Sequence, residues 1–100
     1  AVQAKADSPE LPEPVDLALV VDTYHHIDSR ADYFRRLKGS LRPGGRVAII
    51  DFKRDAPEGP PKRLRVSAKQ IAAEMKEAGY KLARSHAFLP RQNFLEFAPE

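Results

Sequence analysis

The chain has 100 residues, 17 Lys+Arg against 14 Asp+Glu, a net charge of +3 and no Cys. A chain this short buries roughly 60–68% of its unfolded surface and forms one domain at most, which excludes a two-domain protein. With 42% hydrophobic and 31% charged residues it is not a disordered chain, and the missing Cys excludes disulfides, thiolate metal clusters and cysteine nucleophiles.

In chain order, residues 2–5 predict one short strand. Pro9, Pro12 and Pro14 then exclude a helix or central strand, so residues 7–14 read as a loop. Residues 15–21 end in an unbroken apolar run, Leu17 to Val21, the pattern of a strand in a parallel sheet flanked by helices. This is the longest apolar run in the chain, far short of the ~20 residues of a membrane-spanning helix. The lack of Cys and of a secretory leader predicts a cytoplasmic address.

Ser29 followed by Asp32 predicts a capping box opening a helix. Tyr33, Phe34, Leu37 and Leu41 make its apolar stripe, with Arg30, Arg35, Arg36 and Lys38 outside, and Arg42-Pro43 its end. Pro43-Gly44-Gly45 predicts a turn and residues 47–50 a β-branched strand, completing a βαβ unit.

Residues 51–66 carry Pro57, Gly59, Pro60 and Pro61 and an excess of basic residues. Connections of this length are lids, binding loops or disordered links. Ser67 to Gln70 predicts a second capping box, Ile71, Met75 and Ala78 an apolar face, and Gly79 a C-terminal glycine. Residues 81–89 and 93–97 then read as two strands of a hairpin joined across residues 90–92.

The chemistry-bearing residues gather at the carboxyl edge of the first long strand, where open α/β sheets bind ligands. Asp22, Thr23, Tyr24, His25 and Asp51 fall on it. A His pair there supplies a general base, since imidazole titrates near neutral pH; the plainer reading packs one ring at the helix start and leaves the other solvated. No metal is expected, because adjacent side chains on a turn diverge and no third ligand stands at a recognised spacing. No Gly-x-Ser-x-Gly elbow occurs to support nucleophilic hydrolysis. Lys53, Arg54, Lys62, Arg63 and Arg65 offer a site for phosphate or RNA, although no aromatic is interleaved for base stacking.

Taken in order, Asp7 and the following Leu11-Pro12, the run from Val15 to Ile27, and Leu41-Arg42-Pro43-Gly44-Gly45-Arg46-Val47-Ala48-Ile49-Ile50-Asp51 resemble the class I S-adenosylmethionine-dependent methyltransferases of the type 11 kind. Ala78-Gly79-Tyr80 and the closing strand pair resemble that family's last helix and antiparallel end strands. The resemblance covers nearly the whole chain but begins near the family's third strand. The glycine-rich turn after the first strand and the ribose-holding acid after the second have no counterpart. The chain therefore looks like the C-terminal half of a methyltransferase domain, occupying residues 1–100 as a single domain.

The resemblance implies a partial Rossmann-like, three-layer α/β fold with a mixed sheet of about four strands and an antiparallel C-terminal pair. It implies S-adenosylmethionine as cofactor, held by Asp7 at the adenine and by Asp22 and Thr23 at the methionine part. Tyr24 would shape the pocket of a small-molecule methyl acceptor and His25 would take its proton. With two strands missing between residues 2–5 and residues 15–21, the strand 15–21 is expected at the sheet edge. An apolar edge predicts self-association or an N-terminal partner chain. Two other functions are consistent with the residues: a non-catalytic module recruiting a partner strand at that edge, and an anion- or RNA-binding domain using residues 53–65.

Overall fold

The computed structural model describes residues 2–3, 11, 13–53, 56–57 and 59–100. Its strands are β1 (Val2–Gln3), β2 (Val15–Val21), β3 (Leu41–Phe52), β4 (Tyr80–His86) and β5 (Gln92–Pro99). The helices are α1 (Arg30–Leu37) and α2 (Ala68–Glu77), with single 3-10 turns at Tyr24–His26, Lys38–Ser40 and Lys62–Leu64. The sheet has five strands in the order β1-β2-β3-β5-β4. β1, β2 and β3 run parallel, and β5 lies antiparallel between β3 and β4. The α/β class, the mixed sheet and the antiparallel C-terminal pair are those expected from the sequence.

Alternation along the strands decides where the core sits. Ala18 and Val20 of β2 lie beside Val47 and Ile49 of β3, which lie beside Phe97 and Leu95 of β5. These side chains share one core with Phe34 and Leu37 of α1 and Ile71 and Met75 of α2. Burying Phe34 and Ile71 completely removes enough apolar surface to stabilise the fold by about 1.5–3 kcal/mol for each side chain.

Four local expectations are corrected. β2 is not the outermost strand, because β1 pairs in parallel with its Ala18 and Leu19. Ser29 does not cap α1: its backbone is left-handed, at φ 49 and ψ 55, whereas a capping side chain needs the extended region to reach back over the first turn. The helix ends at Leu37 rather than Arg42, and the chain tightens through the 3-10 turn before entering β3 at Leu41. The Pro43-Gly44-Gly45 turn lies inside β3 as an irregularity: Leu41 stands opposite Val15 but Arg46 opposite Leu17, so residues 42–45 loop out between them. Gly44 takes a φ of 80 there.

At α2 the capping prediction holds for Ser67, whose hydroxyl accepts a hydrogen bond from the Gln70 amide at 3.1 Å. Gly79 takes the left-handed conformation expected just past the helix, with φ 91. The long basic connection is held in place by one of its own cations. Buried Arg65 donates to the carbonyls of Ala56 at 2.6 Å, Pro60 at 2.9 Å and Lys53 at 3.2 Å. A buried guanidinium satisfied by backbone carbonyls folds the segment back on itself.

Candidate active site

Asp22 ends β2 with a left-handed φ of 53, a conformation that Asp tolerates better than most residues. Its amide still donates to the Ile50 carbonyl at 2.7 Å, so the turn that follows is tied to β3. Thr23 folds its hydroxyl back onto the Val21 carbonyl at 2.8 Å. The next three residues form a tight 3-10 turn, closed by His26 and Ile27 amides donating to Thr23 and Tyr24 carbonyls at 2.9 and 3.1 Å.

That turn sets His25 against Asp51 of β3. The His25 ring nitrogen Nδ1 lies 2.9 Å from Asp51 Oδ2 and 3.0 Å from Oδ1. The His25 backbone amide also donates to Oδ2, at 3.0 Å, and the Phe52 amide donates to Oδ1 at 2.8 Å. The two side chains are only 4% and 3% exposed. A carboxylate accepts but does not donate, so Nδ1 carries a proton in this contact, and in the neutral ring the lone pair is then on Nε2. The His26 ring lies against that of His25, with centroids 4.0 Å apart.

Tyr24, expected beside an acceptor, is placed in the core instead. It is fully buried, stacks on Phe34 with centroids 5.6 Å apart, and donates its hydroxyl to Glu74 Oε1 at 2.5 Å. Burial first, and then the hydrogen bond to the Glu74 carboxylate, push its hydroxyl well above the ordinary 10. Arg30 donates to the same carboxylate through Nε at 2.7 Å and Nη2 at 3.1 Å, and its guanidinium stands over the Tyr24 ring. Burial acts to raise the Glu74 pKa, but the hydrogen bonds from Arg30, Tyr24 and Gln70 outweigh it and hold the carboxyl below the usual carboxylate range.

The structure therefore brings Asp22, Thr23 and His25 to one strand end, and joins to them Asp51 and Gln92, whose amide donates to the Asp22 carboxylate. Asp7 lies outside the described residues. The sequence puts Asp51 at this edge, after the apolar run 47–50, but carries no sign of its partnership with His25. An open cleft of about 610 Å³ lies on the helical side, between Asp28, Arg30 and Asp32 at the start of α1 and Glu74 and Glu77 of α2, and is not lined by Asp22, Thr23, His25 or Asp51. Among the described residues no group of His, Asp and Glu is arranged to hold a metal ion, and no helix is long and apolar enough to cross a membrane.

A mixed sheet whose polar residues cluster where its parallel strands end and helices begin has the form in which open α/β folds bind ligands. Residues 1–49 match the family model described as a methyltransferase domain. A type 11 methyltransferase from Sulfolobus solfataricus is 24% identical with a TM-score of 0.78, the likeness covering 93% of this chain and 56% of that one. A SAM-dependent methyltransferase from Aquifex aeolicus is 21% identical with a TM-score of 0.80, over 94% of this chain and 51% of that one. An O-methyltransferase from neocarzinostatin biosynthesis, in complex with S-adenosyl-L-homocysteine and 1,4-dihydroxy-2-naphthoic acid, is 17% identical with a TM-score of 0.74 over 90% of this chain and 31% of that one. No curated protein matches the sequence. The resemblance to class I methyltransferases is borne out. The chain shares the fold of these proteins and spans about half the length of the first two.

Proposed function

We propose that the chain is the acceptor-side, C-terminal half of a methyltransferase-like domain, one that moves a methyl group from S-adenosylmethionine to a small-molecule acceptor. The observation that carries this reading is the buried His25–Asp51 pair at the carboxyl ends of β2 and β3. A histidine held by a carboxylate at Nδ1 is oriented in the tautomer a general base needs, and the carboxylate stabilises the imidazolium once a proton arrives.

The residues present fit the methionyl end of the cofactor. Asp22 is exposed at the strand end and its left-handed turn is fixed by β3, so a carboxylate is offered to an ammonium group, with Thr23 beside it. Bound S-adenosylmethionine supplies a methyl group on a positively charged sulfur, open to in-line attack. His25 takes the acceptor's proton at Nε2, and Asp51 keeps the ring from turning. Asp7 completes the adenine end in this reading. The 1,4-dihydroxy-2-naphthoic acid in complex with the neocarzinostatin-biosynthesis enzyme supports an acceptor of that size here.

Calorimetric titration with S-adenosylhomocysteine tests the assignment, using this chain and the chain fused at its N-terminus to a glycine-rich strand–turn–helix unit. The fusion is expected to bind, and an Asp22→Ala change to weaken it. A folded fusion that ignores the ligand refutes the transfer of roles.

We also propose association with a second chain. Among the described residues β1 is paired on one side alone, with β2, so the sheet ends there in an edge open to another strand. Sedimentation is expected to show dimers or larger species at micromolar concentration; a stable monomer counts against it.

A further inference from the structure

Glu74 accepts four hydrogen bonds on the helical side of the fold. Its Oε1 accepts from the Tyr24 hydroxyl at 2.5 Å and from Arg30 Nε at 2.7 Å. Its Oε2 accepts from Arg30 Nη2 at 3.1 Å and from Gln70 Nε2 at 3.1 Å. One carboxylate of α2 therefore holds the 3-10 turn, the first residue of α1 and its own helix together. Its side chain and that of Arg30 are 23% and 20% exposed, so this node is sheltered from solvent screening to a large extent.

The turn it grips consists of Tyr24, His25 and His26. Tyr24 is fixed on one side by Glu74 and by the stack on Phe34, while its neighbour His25 is fixed on the other by Asp51. Three residues of 3-10 helix have one intervening peptide between these two grips. If the Tyr24 side chain shifts, the peptide that carries the His25 amide and ring shifts with it. The hydrogen bonds that hold His25 have little tolerance, since donor–acceptor geometry weakens steeply away from its optimum.

We propose that Glu74 is a positioning residue for His25, acting through the Tyr24 hydroxyl to set the turn on which the His25–Asp51 pair is built. The inference rests on the functional reading of His25 given above, but it concerns the ring's own hydrogen bond and does not require methyl transfer to be tested. It also accounts for Tyr24 being inside the core rather than against an acceptor: its work is done from behind the site. Among the described residues, Asp51 and His26 are titratable groups that face the His25 ring, from β3 and from the turn itself.

The test follows exchange of the His25 Nδ1 proton by nitrogen-edited NMR in the full chain and in Glu74→Gln and Tyr24→Phe. Glu74→Gln keeps the side-chain shape and Tyr24→Phe keeps the ring in the core, so both leave the packing in place. Tyr80→Phe is the matched control, because it too removes a buried hydroxyl, one that donates to the Phe34 carbonyl at 2.6 Å and not to Glu74, while its ring stays against Phe34. Exchange is expected to be at least tenfold faster in both Glu74→Gln and Tyr24→Phe, and within twofold of wild type in Tyr80→Phe. Unchanged exchange in the first two variants overturns the proposal. Equal acceleration in the control overturns it too, since loss of stability alone would then explain the effect. Loss of S-adenosylhomocysteine binding by the fused chain, with this exchange pattern intact, would count against the functional reading and leave the positioning role standing.

Discussion

Asp51 grips His25 twice, accepting the ring Nδ1–H at 2.9 Å and the backbone amide at 3.0 Å on the same oxygen. The second bond matters as much as the first. It fixes the main chain from which the ring projects, so the imidazole is constrained at both ends of its side chain. The arrangement follows from topology: parallel pairing puts Ile50 beside Val21, which brings the residues after β2 over the end of β3.

Removing this carboxylate leaves the His25 ring, the His25 amide and the Phe52 amide without their acceptor in a nearly dry setting. Asp51→Ala is therefore expected to cost about 2–4 kcal/mol of stability. Asp51→Asn should cost less, because its amide oxygen still accepts. Urea denaturation at neutral pH measures both.

Gly45 and Gly39 make a contrasting pair. A Cβ at Gly45 would stand 2.8 Å from the Arg42 carbonyl oxygen and 3.2 Å from that of Val15, both backbone atoms that cannot swing away. Gly45→Ala should lose about 1–3 kcal/mol. At Gly39 a Cβ meets nothing within 4 Å, so Gly39→Ala should be neutral or stabilise by about 0.4–1 kcal/mol through the unfolded chain. Thermal melts of the two variants decide it.

Stability should be highest across a broad middle range of pH. The Glu74 carboxyl is held below its ordinary 4.5, so what it contributes is present above that value and is lost as pH falls through the lower folded one. Tyr24 and Tyr80 are raised above their ordinary 10, chiefly by burial, so their contribution is complete below pH 10 and is lost as pH rises beyond it. Glu74→Gln should flatten the acid limb and, because the Glu74 carboxylate also helps to raise Tyr24, weaken the alkaline one in part, leaving what burial of Tyr24 and Tyr80 supplies. Denaturation midpoints measured from pH 3 to pH 11, on the order of one pH unit apart, give the two limbs separately.

Arg65 is basic in the sequence but its role in the fold is to bind carbonyls. Arg65→Met should open the segment it staples, so trypsin is expected to cut at Lys62 or Arg63 roughly tenfold faster, about 1.4 kcal/mol of local opening. Equal digestion rates would show that the segment is held by other contacts.

The strands and the second helix were legible because their signals are local. Alternating or continuous apolar residues marked β2 and the inner part of β3, Ser67 marked the start of α2, and Gly79 its end. Ser29 has the same capping chemistry as Ser67 yet fails to cap, because its backbone is left-handed and no side-chain preference encodes that. At the site, the position of Asp22, Thr23, His25 and Asp51 at one edge is readable from the apolar runs before them, but their pairing is not. The partners Asp51 and Glu74 lie 26 and 50 residues from the turn positions they hold, a separation that only the folded sheet and helix bring together. The resemblance implies Tyr24 as a wall of the site beside His25, but in a 3-10 turn neighbouring side chains point about a third of a turn apart.

The account depends on which nitrogen of His25 carries the proton. Long-range proton–nitrogen NMR of the ring at neutral pH reads this directly. The account predicts a protonated Nδ1 bound to Asp51 and an unprotonated Nε2. A ring protonated at Nε2 alone would leave no lone pair there to take a proton, and would contradict it.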